Sequence, residues 1–145
     1  MTFEDLLSKG LIKRYKATAG QVKSRMELAQ RDLRTAETLS NTDRDWAYSI
    51  AYNAILQATR ALMFAEGYRP GTGEGQHKGA VLFAEAALRE RLKDKIFVFD
   101  KMRTMRHKVV YDVSGVISEA EAREALRFAR ELVREVEAQL TRFVE

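Results

Sequence analysis

The 145-residue chain has no cysteine, one proline, one tryptophan and two histidines. Without cysteine there is no disulfide and no thiolate-ligated metal. The two histidines, His77 and His107, lie far apart, and no His-Glu-x-x-His or equivalent carboxylate cluster accompanies them, so neither a metal nor a cofactor is expected. Nucleophilic catalysis finds no cysteine, no G-x-S-x-G turn and no evident triad. Long apolar runs are missing as well. The densest patches, "ALMFA" and "IFVF", fall far short of the ~18 residues of a membrane span. The opening "MTFEDLLSKG" carries acids where a signal peptide has a basic region and then an apolar run. A soluble, cytoplasmic protein with no membrane partner is expected.

Glycine is sparse, and its placement is informative. Five of the eight glycines and the only proline fall in "GYRPGTGEGQHKG", Gly67 to Gly79, which predicts one long loop. A phosphate-binding reading of this loop fails on spacing. A P-loop needs Gly-Lys-Ser/Thr opening a helix, whereas Lys78 stands between His77 and Gly79. The dinucleotide fingerprint needs a preceding strand, and none is predicted. The stretch reads as a flexible connector between helices, with His77 a loop histidine.

What the chain does have is charge and a helical period. Hydrophobic residues make up 46% and charged residues 32%, a globular balance, and 145 residues favour a single domain over residues 1–145. Twenty-five Lys and Arg against 21 Asp and Glu leave a net +4, which permits a polyanion partner without requiring one. Val22, Met26, Ala29, Leu33 and Ala36 share one helix face, after a capping box of Thr18 and Gln21. Ala47, Ile50, Ala54, Ala58, Ala61 and Ala65 repeat the pattern from about Asp43 to Glu66, with Gly67 as the C-cap. Small residues there imply close approach of another helix, and Trp46, Ile55, Leu56 and Leu62 are expected to widen the buried surface. "AVLFAEAAL" predicts a short helix and "KIFVFDKMRTMRHKVVYD" a longer one. The last helix starts at a Ser118–Glu121 capping box and carries the stripe Ala122, Leu126, Ala129, Val133, Val136, Leu140 and Phe143. Five or so helices with no convincing strand predict an all-α, up-and-down bundle of four to five helices.

Two basic stretches stand out. In the last helix Arg123, Arg127, Arg130 and Arg134 are matched by Glu119, Glu124, Glu131 and Glu135 at three- and four-residue spacing, which reads as a salt-bridged, solvated face. In "MRTMRHKVVYD", Met102 to Asp112, the cations are not interleaved with acids. Arg103, His107 and Tyr111 fall on one helical row with Arg106 beside it, while Ile96, Phe99, Met102, Met105 and Val109 supply a buried side. Arginine matches phosphate oxygens bidentately and histidine can move a proton near neutral pH, so the stretch reads either as a phosphate-facing site or as an exposed basic face.

Several of these segments together resemble the HEPN domain family. "YNAILQATRALMFAEGYRP", the glycine loop, "AVLFAEAAL" and "MRHKVVYD" before a long capped helix carry the likeness, which runs from about Thr18 to Phe143 and is nearest the small stand-alone bacterial and archaeal branch. The resemblance implies a four- or five-helix bundle, commonly homodimeric. Many such proteins pair with a minimal nucleotidyltransferase as a toxin–antitoxin couple, and many are metal-independent ribonucleases. The family motif is an arginine, a polar residue, and a histidine after four to six intervening positions. Arg106 and His107 take the first two places, but Tyr111 stands where the histidine is expected. Counting from Arg103 reaches His107 one position short.

The resemblance thus implies Arg106, His107 and Tyr111 as catalytic candidates and Arg103, Arg106 and Lys108 as nucleic-acid-binding candidates. Tyrosine, with a reference pKa of ~10, is a poor proton carrier at pH 7, although it can hydrogen-bond phosphate or stack on a base. On an ideal helix Arg106 and Tyr111 point about 140° apart, so two copies meeting across a two-fold axis are expected to share a cleft. Three functions remain open. They are an RNA-directed ribonuclease or toxin, a catalytically silent RNA- or nucleotide-binding module, and an interaction partner for a nucleotidyltransferase.

Overall fold

A computed structural model describes residues 1–73, 75–109 and 115–144, with side chains in the last helix through residue 142. Among the described residues there are six helices and a two-stranded ribbon: α1 Phe3–Ser8, β1 Ile12–Arg14, α2 Ala19–Leu39, α3 Arg44–Glu66, β2 Tyr68–Pro70, α4 Gln76–Leu92, α5 Phe97–His107 and α6 Glu119–Val144. The all-α bundle expected from the periodicity is present, with α2 to α6 as its five main helices. None of the described helices is long and apolar enough to cross a membrane.

The predicted caps form. Thr18 and Gln21 exchange side-chain and backbone hydrogen bonds at the start of α2, and Ser118 and Glu121 do so at the start of α6. Gly67 closes α3 in the left-handed region, φ 94°, with its N–H on the carbonyls of Met63 and Phe64. "IFVF" is not a strand: Ile96 precedes α5 and Phe97 opens it.

α3 is the central element. It packs against α2, α6, α4 and α5, which is the close approach that its alanine face predicted. Direction follows from the polar links between helices. Arg25 reaches Gln57 across the α2–α3 hairpin, while Lys95–Glu131 and Lys101–Glu124 run antiparallel between α5 and α6. The Asp45 carboxylate accepts from the backbone N–H groups of Gly115 and Ile117, so α6 starts beside the start of α3. Tyr52, Ile55, Leu62, Phe83, Phe99, Met102 and Leu132 are fully buried between these helices.

Three expectations need correction. The predicted loop is partly ordered structure, because Tyr68–Pro70 pairs antiparallel with Ile12–Arg14, Pro70 opposite Ile12. Second, Trp46 lies one residue, or 100° of turn, off the Ala47 face and is 57% exposed instead of buried. Third, the acids of α6 mostly reach other helices. Among the described residues only Arg123–Glu119 pairs along α6, while Glu124, Glu131 and Glu135 take Lys101, Lys95 and Arg91, and Arg130 takes Glu37 of α2. Phe143 of the expected stripe lies outside the described side chains.

One glycine lets α4 pack closely on the N-terminal segment. Gly79 is not loop punctuation but a packing residue inside the helix, lying where a Cβ would stand 2.5 Å from the Leu11 carbonyl oxygen. Gly79→Ala is therefore expected to cost about 1–3 kcal/mol through overpacking against backbone. Thermal melting checks this, and an unchanged Tm would show that the contact is easily relieved.

Candidate phosphate-facing site

The basic stretch lies on the last two turns of α5, where Val98, Phe99 and Met102 are buried against the bundle. Burying these three turns the other side of the helix outward. Arg103, Thr104, Arg106 and His107 line an open cleft of about 370 Å³, and among the described residues His77 of α4 also lines it. Lys108 is exposed at the C-cap of α5, outside the lining set. Tyr111 lies outside the described residues. Of the residues singled out from sequence, Arg103, Arg106 and His107 are thus brought together, with Lys108 next to them in the chain.

His77 is the residue that sequence reasoning misplaced. It is not in a loop: α4 begins at Gln76, and His77 occupies its first turn. The Tyr52 hydroxyl of α3 stands 2.8 Å from His77 Nδ1, and the two rings lie within 14° of parallel. Tyr52 is fully buried, with Phe99 5.9 Å from it on the bundle side. The Arg106 guanidinium covers the Tyr52 ring at 5.6 Å from its centroid.

Burial pushes the Tyr52 phenol up to about 12, against the opposing pull of Arg106, Arg103 and Arg60. Burial also lowers the His77 pKa, and the charges of Arg106, Arg60 and Arg103 lower it further. At neutral pH, therefore, Tyr52 keeps its proton and His77 is mainly uncharged.

The basic run is also not unopposed. Asp100, one turn before Arg103, accepts from Arg103 Nε at 2.8 Å and from Lys78 Nζ at 3.4 Å. Burial works against this carboxylate, but the hydrogen bond and charge of Arg103, then Lys78, outweigh it and hold its pKa below the usual range. Asp100 fixes Arg103 against the helix and offsets part of its charge. The Asp100–Arg103 spacing was legible at i, i+3. Tyr52, His77 and Arg60 come from helices that only the fold brings together.

Chemically the cleft offers two guanidinium groups and two imidazoles, a donor set suited to an anion with several oxygens, while the Thr104 hydroxyl donates to the Lys101 carbonyl. Among the described residues no group of three or more His, Asp or Glu could hold a metal ion. The family model for the HEPN domain matches residues 22–139. Comparison with curated proteins returns no match.

Proposed function

From the premise that this chain belongs to the HEPN domain family, we propose that it is an RNA-directed module that grips the phosphates of single-stranded RNA through Arg103, Arg106 and His107. Lys108 adds charge at the rim. The observation that carries this reading is the convergence of Arg103, Arg106, His107 and His77 on one open cleft. Phosphate contacts release counterions, so log affinity should fall linearly with log salt. Arg103→Ala and Lys108→Ala should each flatten that slope by about one unit. Arg103→Ala should weaken binding more, because it also leaves Asp100 facing the RNA. Fluorescence titration of a labelled oligoribonucleotide from low to high salt measures both effects, and a salt-independent affinity would remove the reading.

A second reading, a metal-independent ribonuclease acting as the toxin partner of a minimal nucleotidyltransferase, is favoured by the two histidines bordering the cleft. The 2′-hydroxyl would attack the adjacent phosphorus and expel the 5′-oxygen, with Arg106 offsetting charge on the phosphoryl oxygens. Cleavage in EDTA that disappears in Arg106→Ala would promote this reading. Tyr111→Phe and His107→Ala in the same assay separate the two candidate proton carriers.

The working form we propose is a two-fold homodimer. Besides the angular separation of Arg106 and Tyr111, it is supported by two large exposed aromatic side chains, Trp46 and Phe97. Light scattering at micromolar concentration should give twice the 16.6 kDa chain mass. A monomer mass would overturn it.

A further inference from the structure

The cleft contains one wall that the family motif does not supply, His77 of α4, and its hydrogen bonding fixes what it can do. We propose that His77 is a phosphate ligand of this cleft and that anion binding there takes up a proton on its ring. The inference rests on the phosphate-gripping reading given above and adds a residue and a linkage to it.

The argument starts at the Tyr52 hydroxyl. It is buried, and its neighbour at hydrogen-bond distance is His77 Nδ1, at 2.8 Å. A phenol that keeps its proton at neutral pH donates it to Nδ1, which places the ring hydrogen of a neutral imidazole on Nε2. His77 lines the cleft, so Nε2–H is the ring's remaining donor, available to a bound oxygen. In the free protein the charges facing this ring are Arg60 from α3 and Arg103 and Arg106 from α5. Lys78 follows His77 on α4, and Asp100 of α5 is engaged by Arg103 and Lys78. Burial, joined by this excess of positive charge, holds the ring's pKa below its ordinary value.

A phosphate between Arg103, Arg106 and His77 reverses that balance. Its negative charge stabilises the imidazolium, so the ring's pKa rises on binding. When the second proton arrives, Nδ1–H donates to the Tyr52 oxygen and Nε2–H to the phosphate. The Tyr52 hydroxyl can switch from donor to acceptor without moving its oxygen, because a hydroxyl does both. The complex then holds more protons than the free protein, and linkage requires affinity to rise as pH falls. The window runs from the raised pKa of the complex down to the lowered pKa of the free ring. Phosphodiesters and arginines do not titrate there, but the cleft holds a second imidazole, His107, so every measurement is repeated in a His107→Gln background.

The test is a titration of a short single-stranded oligoribonucleotide in EDTA at pH 8, 7 and 6, at constant ionic strength. Wild type should bind about three- to tenfold more tightly at pH 6 than at pH 8, tenfold corresponding to full uptake of one proton across one of those two pH units. Calorimetry at pH 7 in two buffers of different ionisation enthalpy should show net proton uptake. His77→Gln keeps an N–H donor but cannot titrate. Whatever its affinity at pH 8, it should gain less between pH 8 and pH 6 than wild type, and in the His107→Gln background it should gain nothing. His77→Phe should bind more weakly at every pH, with the same reduced gain. If His77→Gln keeps the wild-type pH response, the inference fails while the phosphate reading stands. If wild type binds no oligoribonucleotide at any pH, both fail. Circular dichroism melts of each variant show whether a loss of binding is only a loss of fold.

Discussion

Phe99→Ala is expected to remove about 3–5 kcal/mol of stability, a large share of the roughly 5–15 kcal/mol that holds a domain of this kind together. Phe99 is fully buried and lies 5.9 Å from the Tyr52 ring, under the cleft. Truncating it opens a cavity next to the residue that holds His77, so the loss couples core packing to the site. The contrast is two positions away. Phe97 is 58% exposed on the same helix, and Phe97→Ala should change the stability of the single protomer, measured at a concentration too low for pairing, by about 0.5 kcal/mol or less. Urea unfolding of both variants tests the register of α5 directly. Equal losses would mean that the helix does not present Phe99 inward and the basic residues outward.

Arg106→Glu is the change with the largest expected effect on binding. The arginine lies over the Tyr52 ring and lines the cleft, and no acid partners it in an ion pair among the described residues. Reversing its charge both removes a phosphate donor and sets a carboxylate against the phosphate. Like-charge juxtaposition costs several kcal/mol, so RNA affinity should fall at least about 100-fold. Arg106→Lys keeps the charge but loses the planar fork and its stacking, and should cost only about three- to tenfold. The same reversal acts on His77. Arg106 is the second cause, after burial, of its lowered pKa, so a carboxylate in that place should move the pKa upward. A histidine-resolved NMR titration reads that sign independently of RNA. An unmoved His77 titration would mean that Arg106 does not face it.

Most of the helices were legible because their signals are local. The Thr18–Gln21 and Ser118–Glu121 boxes, the Gly67 cap and the alanine face of α3 each depend on residues within a turn or two. Phe99 and Met102 fall on the buried side of α5 where the period put them. What failed depends on contacts made elsewhere. Gly79 carries the same letter as a loop glycine, and only the position of Leu11, 68 residues earlier, makes it a helix-packing residue. Trp46 is apolar enough to be read as core, yet its position round the helix leaves it in solvent. The site divides the same way. Arg103, Arg106 and His107 come from one helix and were read together, whereas His77 reaches them only through the packing of α4 against α5 and the Tyr52 hydroxyl of α3.

The ribbon between Ile12–Arg14 and Tyr68–Pro70 bears on where this domain ends. The matched span begins at residue 22, but Leu11, whose backbone seats Gly79, and all of β1 lie before it. A protease or an engineer who trimmed the chain to residues 22–139 would keep every cleft-lining side chain. The trimmed chain would nevertheless lose the strap that sets the first turn of α4, and with it the placement of His77. In this protein the N-terminal segment outside the family match supports the wall of the proposed cleft.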